Sequence, residues 1–131
     1  MTDNSPWWGY HATFDAHGLD HSAATSADTI REFLRTLVDK IDMIAYGDPT
    51  VVHFGEGNKA GFTGIQLIST SNLIGHWCDG EVDQQGNTVV PSDCYFDIFS
   101  CKPFDIKIAE QHFREYFNPK RVRVNYITRQ A

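Results

Sequence analysis

The sequence predicts an α+β protein, a two-layer sandwich in which a mainly antiparallel sheet carries two helices. Two observations predict it. Six short apolar segments carry the alternation or β-rich composition of strands, and most are joined by brief turn signals. Two longer stretches carry apolar residues at three–four spacing, and they interrupt the strands instead of alternating with them. The length of 131 residues fits a single domain, 1–131, which can bury a core without staples.

The elements follow in order. Residues 7–15 alternate, with Trp8, Tyr10, Ala12 and Phe14 on one side, and read as a strand. Residues 18–24 read as a loop. Ser26 caps a helix whose stripe is Ile30, Phe33, Leu34, Leu37, Val38 and Ile41. Thr50 to Phe54 is a short strand after Gly47-Asp48-Pro49, and residues 55–61 form a turn with three glycines. Residues 62–70, 72–78 and 94–101 read as further strands, with a polar loop over 79–92. Asp105 opens a helix to about Phe117 with Ile106, Ala109, Phe113 and Phe117 inward, Asn118-Pro119 ends it, and Val122 to Ile127 closes the fold as a strand.

Composition excludes several classes. The chain is 41% hydrophobic and 13% aromatic, which is the make-up of a folded protein. Eleven basic against seventeen acidic residues give a formal charge of −6 and no basic face for nucleic acid. Lys120-Arg121-Val122-Arg123 alternates and reads as a strand edge. The start, Met1 to Pro6, is polar and no apolar run is long enough to cross a membrane, so neither a signal peptide nor a membrane is expected. Three cysteines, Cys78, Cys94 and Cys101, suit a reducing cytoplasm, and their spacing matches no metal site.

Three segments carry candidate chemistry: GFTGIQLISTSNLIGH at 61–76, FDIFSC at 96–101, and GYHATFDAHGLD at 9–20. By themselves Ser71 reads as a turn serine, His76 as a half-buried histidine and Cys101 as a core thiol, although a hydroxyl, a neutral imidazole and a thiol can serve as nucleophile, base and acid. Thr63 offers a hydroxyl able to stabilise an oxyanion. Ser71 and His76 differ by an odd number, so a regular strand points them to opposite faces and a bend at Gly75 is expected between them.

In their order and spacing these segments resemble the prokaryotic S-adenosylmethionine decarboxylases, over Gly9 to about Arg129. The turn Gly61-Phe62-Thr63-Gly64, Ser71 with His76 five residues on, and the strand Asp97-Ile98-Phe99-Ser100-Cys101 carry the resemblance. It implies an enzyme, a carboxy-lyase of polyamine (spermidine) biosynthesis. Its cofactor would be a pyruvoyl group made from Ser71 when the chain cuts itself into 1–70 and 71–131. It further implies that His76 assists processing, that Cys101 is the general acid of decarboxylation, and that Thr63 and Thr70 support the cut. A homodimer of cleaved protomers is expected.

The chain departs from the family beside these residues. Thr70 stands where the family usually has glutamate, and His76 is followed by Trp77-Cys78-Asp79-Gly80-Glu81 instead of a threonine–tryptophan–proline–glutamate run. A sulfonium cation and an adenine call for π-faces and carboxylates. Phe54, Trp7 and Trp77 are the candidate stacking surfaces, and Asp79 or Glu81 the candidate anions. A pyruvoyl decarboxylase of ornithine or arginine, or a non-catalytic paralogue that binds a partner, are the alternative readings.

Overall fold

The computed structural model describes residues 6–131, and the polar stretch Met1–Ser5 lies outside them. In chain order the elements are β1 (Gly9–Leu19), α1 (His21–Ala24), α2 (Ala27–Lys40), β2 (Thr50–Phe54), β3 (Gly61–Ile68), β4 (Ser71–Cys78), β5 (Glu81–Val82), β6 (Thr88–Val90), β7 (Ser92–Ser100), α3 (Ile106–Phe117) and β8 (Arg121–Arg129). Six strands pair in the order β2-β3-β4-β7-β1-β8, every pair antiparallel, while β5 and β6 form a separate hairpin. The fold is the α+β two-layer sandwich. Among the described residues no helix is long and apolar enough to cross a membrane.

Both long helices begin and end where local chemistry dictates. The Ser26 hydroxyl accepts from Thr29 N at 3.2 Å, with Asp28 in the first turn of α2 and Lys40 in the last, both matched to the helix dipole. The Asp105 carboxylate caps α3 by accepting from Lys107 N at 2.9 Å. Asn118 ends α3 in the left-handed conformation at φ 42°, and its N–H donates to Arg114 O before Pro119 forbids continuation.

The helices cover one face of the sheet. Ile30, Phe33, Leu34 and Leu37 of α2 and Ala109, Phe113 and Phe117 of α3 are buried against Phe14, Leu73, Trp77, Phe96 and Ile98 of the strands. Phe33 is the hub, with ring centroids 5.0 to 6.1 Å from those of Phe117, Phe96, Phe113 and Trp77. The other face carries no helix and leaves Ile65, Leu67, Ile74, Tyr95 and Ile127 exposed.

Several expectations are corrected. β1 begins at Gly9 and runs on to Leu19, with a register shift between Ala16 and Leu19, and a single helical turn, α1, follows, so 18–24 is not a loop. Trp8 lies outside the strand and stacks on Phe99, at 6.0 Å, instead of joining Tyr10, Ala12 and Phe14 in the core. The stretch 79–92 contains the β5–β6 hairpin, whose turn is held by Asp83 accepting from Gln85 N and Asn87 N. β3 and β4 pair without interruption from Gly61↔Cys78 to Ile68↔Ser71, so no bend occurs at Gly75. Gly64 and Gly75 instead make room for Trp77, whose ring atoms would lie 3.2 and 2.9 Å from a Cβ added at either glycine.

One buried titratable group sits between the helices. His112 packs flat on Phe33 at 5.5 Å, and its Nε2 lies 2.8 Å from the Thr36 hydroxyl. Desolvation lowers its pKa below the ordinary value, and the unfolded chain therefore binds the proton first on acidification. Stability is complete above the unfolded pKa of about 6.5 and is lost as pH falls through it towards the lower native value. The melting temperature should fall on going from about pH 7 to about pH 5.5, and by less in His112→Gln. Equal falls in both proteins would refute the assignment.

Candidate active site

Ser71 opens β4 directly after the two-residue turn Ser69-Thr70, and its register partners are Ile68 on β3 and Ser100 on β7. Its φ is 151°, a region that L-residues avoid and that costs on the order of 1–3 kcal/mol. The strain is held from two sides. The segment after α2 is bound to the end of β3 by Ser69 N donating to Ile44 O and Tyr46 N donating to Leu67 O, both 2.9 Å. From the β7 side, Cys101 N donates to the Thr70 carbonyl at 2.9 Å. The hydroxyls beneath the turn form a directed chain. Lys102 N donates to Ser100 Oγ at 3.0 Å, Ser100 Oγ to Thr70 Oγ1 at 2.9 Å, and Thr70 Oγ1 to Met43 Sδ at 3.3 Å.

His76 sits near the other end of β4. Its Nε2 lies 2.9 Å from the Lys59 carbonyl, which can only accept, so the neutral ring carries its proton there. Nδ1 is left as an acceptor for the Thr63 hydroxyl, also at 2.9 Å. Thr63, His76 and Tyr95 are neighbours across three strands on the open face. His76 and Tyr95 border a cleft of about 780 Å³ that is also lined by Lys59, Asp79, Glu81 and Asp93. Three carboxylates stand against one ammonium in its lining, with Asp93 3.0 Å from His17 Nδ1. The Phe54 ring, exposed, lies 6.2 Å from that of His76, and Asp79 Oδ2 is 2.7 Å from His53 Nε2.

A second cavity, about 380 Å³, is lined by Trp8, Phe99 and Arg129 at the Cys101 end of the open face. Arg129 lies over Phe99 at 5.4 Å and 3.1 Å from His11 Nδ1, and His11 Nε2 is 3.9 Å from Asp97. Sequence patterning did not single out Trp8, Phe99, Arg129 or Tyr95 for this face. The alternation that places Phe99 and Tyr95 opposite the buried Phe96 and Ile98 could have found the two on β7.

The structure thus brings Ser71, Thr70, Ser100 and Cys101 together, and separately His76 with Thr63. It does not bring the two groups together within one chain. Five residues of unbroken strand separate Ser71 from His76 by about 17 Å, and alternation turns them to opposite faces. Thr63 is engaged with His76 and not with the Thr70 carbonyl, where the donor is the Cys101 N–H. Trp77 is fully buried beneath the sheet and offers no stacking surface. Glu81 is exposed and lines the cleft. Cys94 is buried, and desolvation first of all raises its thiol pKa well above the usual value, so its thiol is inert; Cys78 is shifted the same way for the same leading reason. Among the described residues no three His, Cys, Asp or Glu side chains cluster to hold a metal.

A comparison with curated protein sequences finds no match. Among solved structures, the adenosylmethionine decarboxylase from Aquifex aeolicus VF5 superposes with a TM-score of 0.72 at 20% identity, covering 97% of this chain and 94% of that one. That likeness shows a shared fold. The sequence itself matches the family model of S-adenosylmethionine decarboxylase over residues 10–130, and the chain belongs to that family.

Proposed function

We propose that this chain is a self-processing, pyruvoyl-dependent S-adenosylmethionine decarboxylase serving polyamine (spermidine) biosynthesis. The observation that carries the reading is the state of the Thr70–Ser71 peptide, strained at Ser71 and with its carbonyl already hydrogen-bonded to a fixed backbone donor. Ser71 Oγ attacks the Thr70 carbonyl carbon, and the Cys101 N–H stabilises the oxyanion. The C–N bond breaks, an ester forms, and the hydroxyl proton ends on the freed Ser71 nitrogen. A base then removes the Ser71 α-proton and the Thr70 carboxylate leaves. The enamine left behind rearranges and takes up one water, releasing ammonia and leaving a pyruvoyl group at residue 71. Thr70 is not the nucleophile, because its hydroxyl is committed between Ser100 and Met43.

The surroundings of Ser71 fit such a group. Its carbonyl accepts the electron pair released when a bound amino acid loses carbon dioxide. Cys101, whose N–H meets the same turn, is the residue we assign to return a proton to the substrate carbon. The acidic cleft beside His76 and Tyr95 suits a sulfonium substrate, with Glu81 and Phe54 at hand.

His76, the base assigned to the α-proton, lies about 17 Å from Ser71 within one chain, and on this reading a second copy supplies it in a homodimer. The exposed apolar face of the sheet is the surface to be covered. A two-fold axis lying across the strands stacks two such faces with their strands running oppositely. It sets the Thr63–His76 end of one chain over the strand end that carries Ser71 in the other, and the Ser71 backbone must turn its α-proton towards that face for His76 to reach it. Ser71→Ala and His76→Ala chains, each uncut alone, should therefore yield cut His76→Ala chains when mixed as heterodimers. A mixture that stays uncut argues against a shared site. Carbon dioxide release from S-adenosylmethionine, and not from ornithine or arginine, tests the substrate.

A further inference from the structure

We infer that Ser100 is a positioning residue for the self-cleavage, acting through Thr70 on the orientation of the peptide that is cut. The inference rests on the self-processing reading above and assigns the hydroxyl of strand β7 a task within it. Ser100 is 0% exposed in a strand whose other inward residues include Cys94, Phe96 and Ile98. A buried hydroxyl in such a place costs stability unless its hydrogen bonds are made. Here they are made, and Met43 Sδ is a second, longer acceptor for Ser100 Oγ at 3.8 Å. Ser100 Oγ accepts from Lys102 N and donates to Thr70 Oγ1, which in turn donates to the sulfur of Met43. A hydroxyl at each position both donates and accepts, which this cluster uses and a carbonyl oxygen could not supply.

The consecutive residues Ser100 and Cys101 thereby grip Thr70 at two points, its side-chain oxygen at 2.9 Å and its carbonyl oxygen at 2.9 Å. Two points on one residue define the plane of the peptide that follows it. That plane ends at Ser71, whose φ of 151° is the unfavourable torsion. A free turn would relax by rotating the 70–71 peptide, which would relieve φ and swing the carbonyl carbon away from Ser71 Oγ. The Ser100–Thr70 bond blocks that rotation and keeps nucleophile and carbonyl in attack geometry. It also suits this chain's particular turn, because a hydroxyl clamp needs a hydroxyl at position 70, and threonine stands there.

The test follows the appearance of fragments 1–70 and 71–131 from freshly made full-length chain by intact mass. Ser100→Ala should slow cutting by about 10–100-fold, the loss typical of a displaced reacting group. Ser100→Thr, which keeps the hydroxyl, should restore it. Thr70→Val, at a half-buried turn position, should slow cutting to the same extent. The double variant Ser100→Ala/Thr70→Val should be no slower than either single, since both break one bond. Hydroxylamine should fail to split the Ser100→Ala chain, because the block precedes ester formation. Failure of the wild-type chain to cut overturns the processing reading and this inference with it. A wild-type chain that cuts beside Thr70→Val and Ser100→Ala chains that cut equally fast overturns the clamp alone. An Ser100→Ala chain that accumulates hydroxylamine-sensitive ester also overturns it.

Discussion

Ser71→Ala should leave the chain in one piece under conditions in which the wild type separates into residues 1–70 and 71–131. The effect is complete, not graded, because the hydroxyl is the nucleophile and alanine has none. Its neighbours cannot stand in. Thr70 spends its hydroxyl on Met43, and its own carbonyl is the one under attack; Ser69 is exposed, and its backbone is tied to Ile44. Alanine does not remove the strain at 71 either, since any side chain with a Cβ meets it at φ 151°. The variant should therefore hold the uncut peptide in its strained form. Mass spectrometry gives the decisive reading. In the wild type the second fragment should be resistant to N-terminal sequencing and lighter by one ammonia than a hydrolytic fragment starting with serine. A Ser71→Ala chain that still separates would move the cut to another residue. A wild-type fragment with a free serine terminus would mean ordinary proteolysis.

Cys101→Ala separates cutting from turnover. The group of residue 101 that touches the Thr70 carbonyl is its backbone N–H, which alanine keeps. Both fragments should therefore still form. Decarboxylation per processed chain should fall by about 10²–10⁴-fold, the usual cost of losing a general acid. Misplaced protonation should then inactivate the processed chain progressively during turnover. Cys94→Ala is the control, since that thiol is buried on the helix side with its proton held tightly. It should cost about 1–2 kcal/mol of stability and leave turnover per processed chain unchanged. Loss of cutting in Cys101→Ala would show that the thiol, and not the amide, serves the acyl shift. Normal turnover in Cys101→Ala would remove the thiol from the chemistry.

Much of the fold was legible because it rests on local signals. The stripe Ile30, Phe33, Leu34, Leu37, Val38 is periodic and its cap, Ser26, stands at the right offset, so α2 could be read from the sequence to within a residue of its start. Asp105 and Asn118-Pro119 bracket α3 in the same way. The β5–β6 hairpin was missed because its strands are two and three residues long, too short to show a period. Trp8 was misplaced because alternation continues on paper past the point where the strand ends, while its ring finds Phe99 across the sheet.

The candidate site divides along the same line. The sequence by itself, through the family motif, marked Ser71, His76, Cys101 and Thr63 as the candidates for chemistry and ordered them along the chain. It also determined that Ser71 and His76 differ by an odd number of residues, which an uninterrupted strand turns into opposite faces. Only the tertiary structure decided that the strand is uninterrupted, because Gly75 is used to seat the Trp77 ring and not to form a bulge. Only the tertiary structure, too, joined Ser100 and Cys101 to Thr70 across thirty or so residues of chain, through hydrogen bonds between the ends of strands that are neighbours in the sheet. Spacing along a chain reports what one element can place on one face. Which strand ends meet is set by the order in which strands pair, and that order is fixed by the burial of Phe14, Phe96, Trp77 and Phe33 in one core.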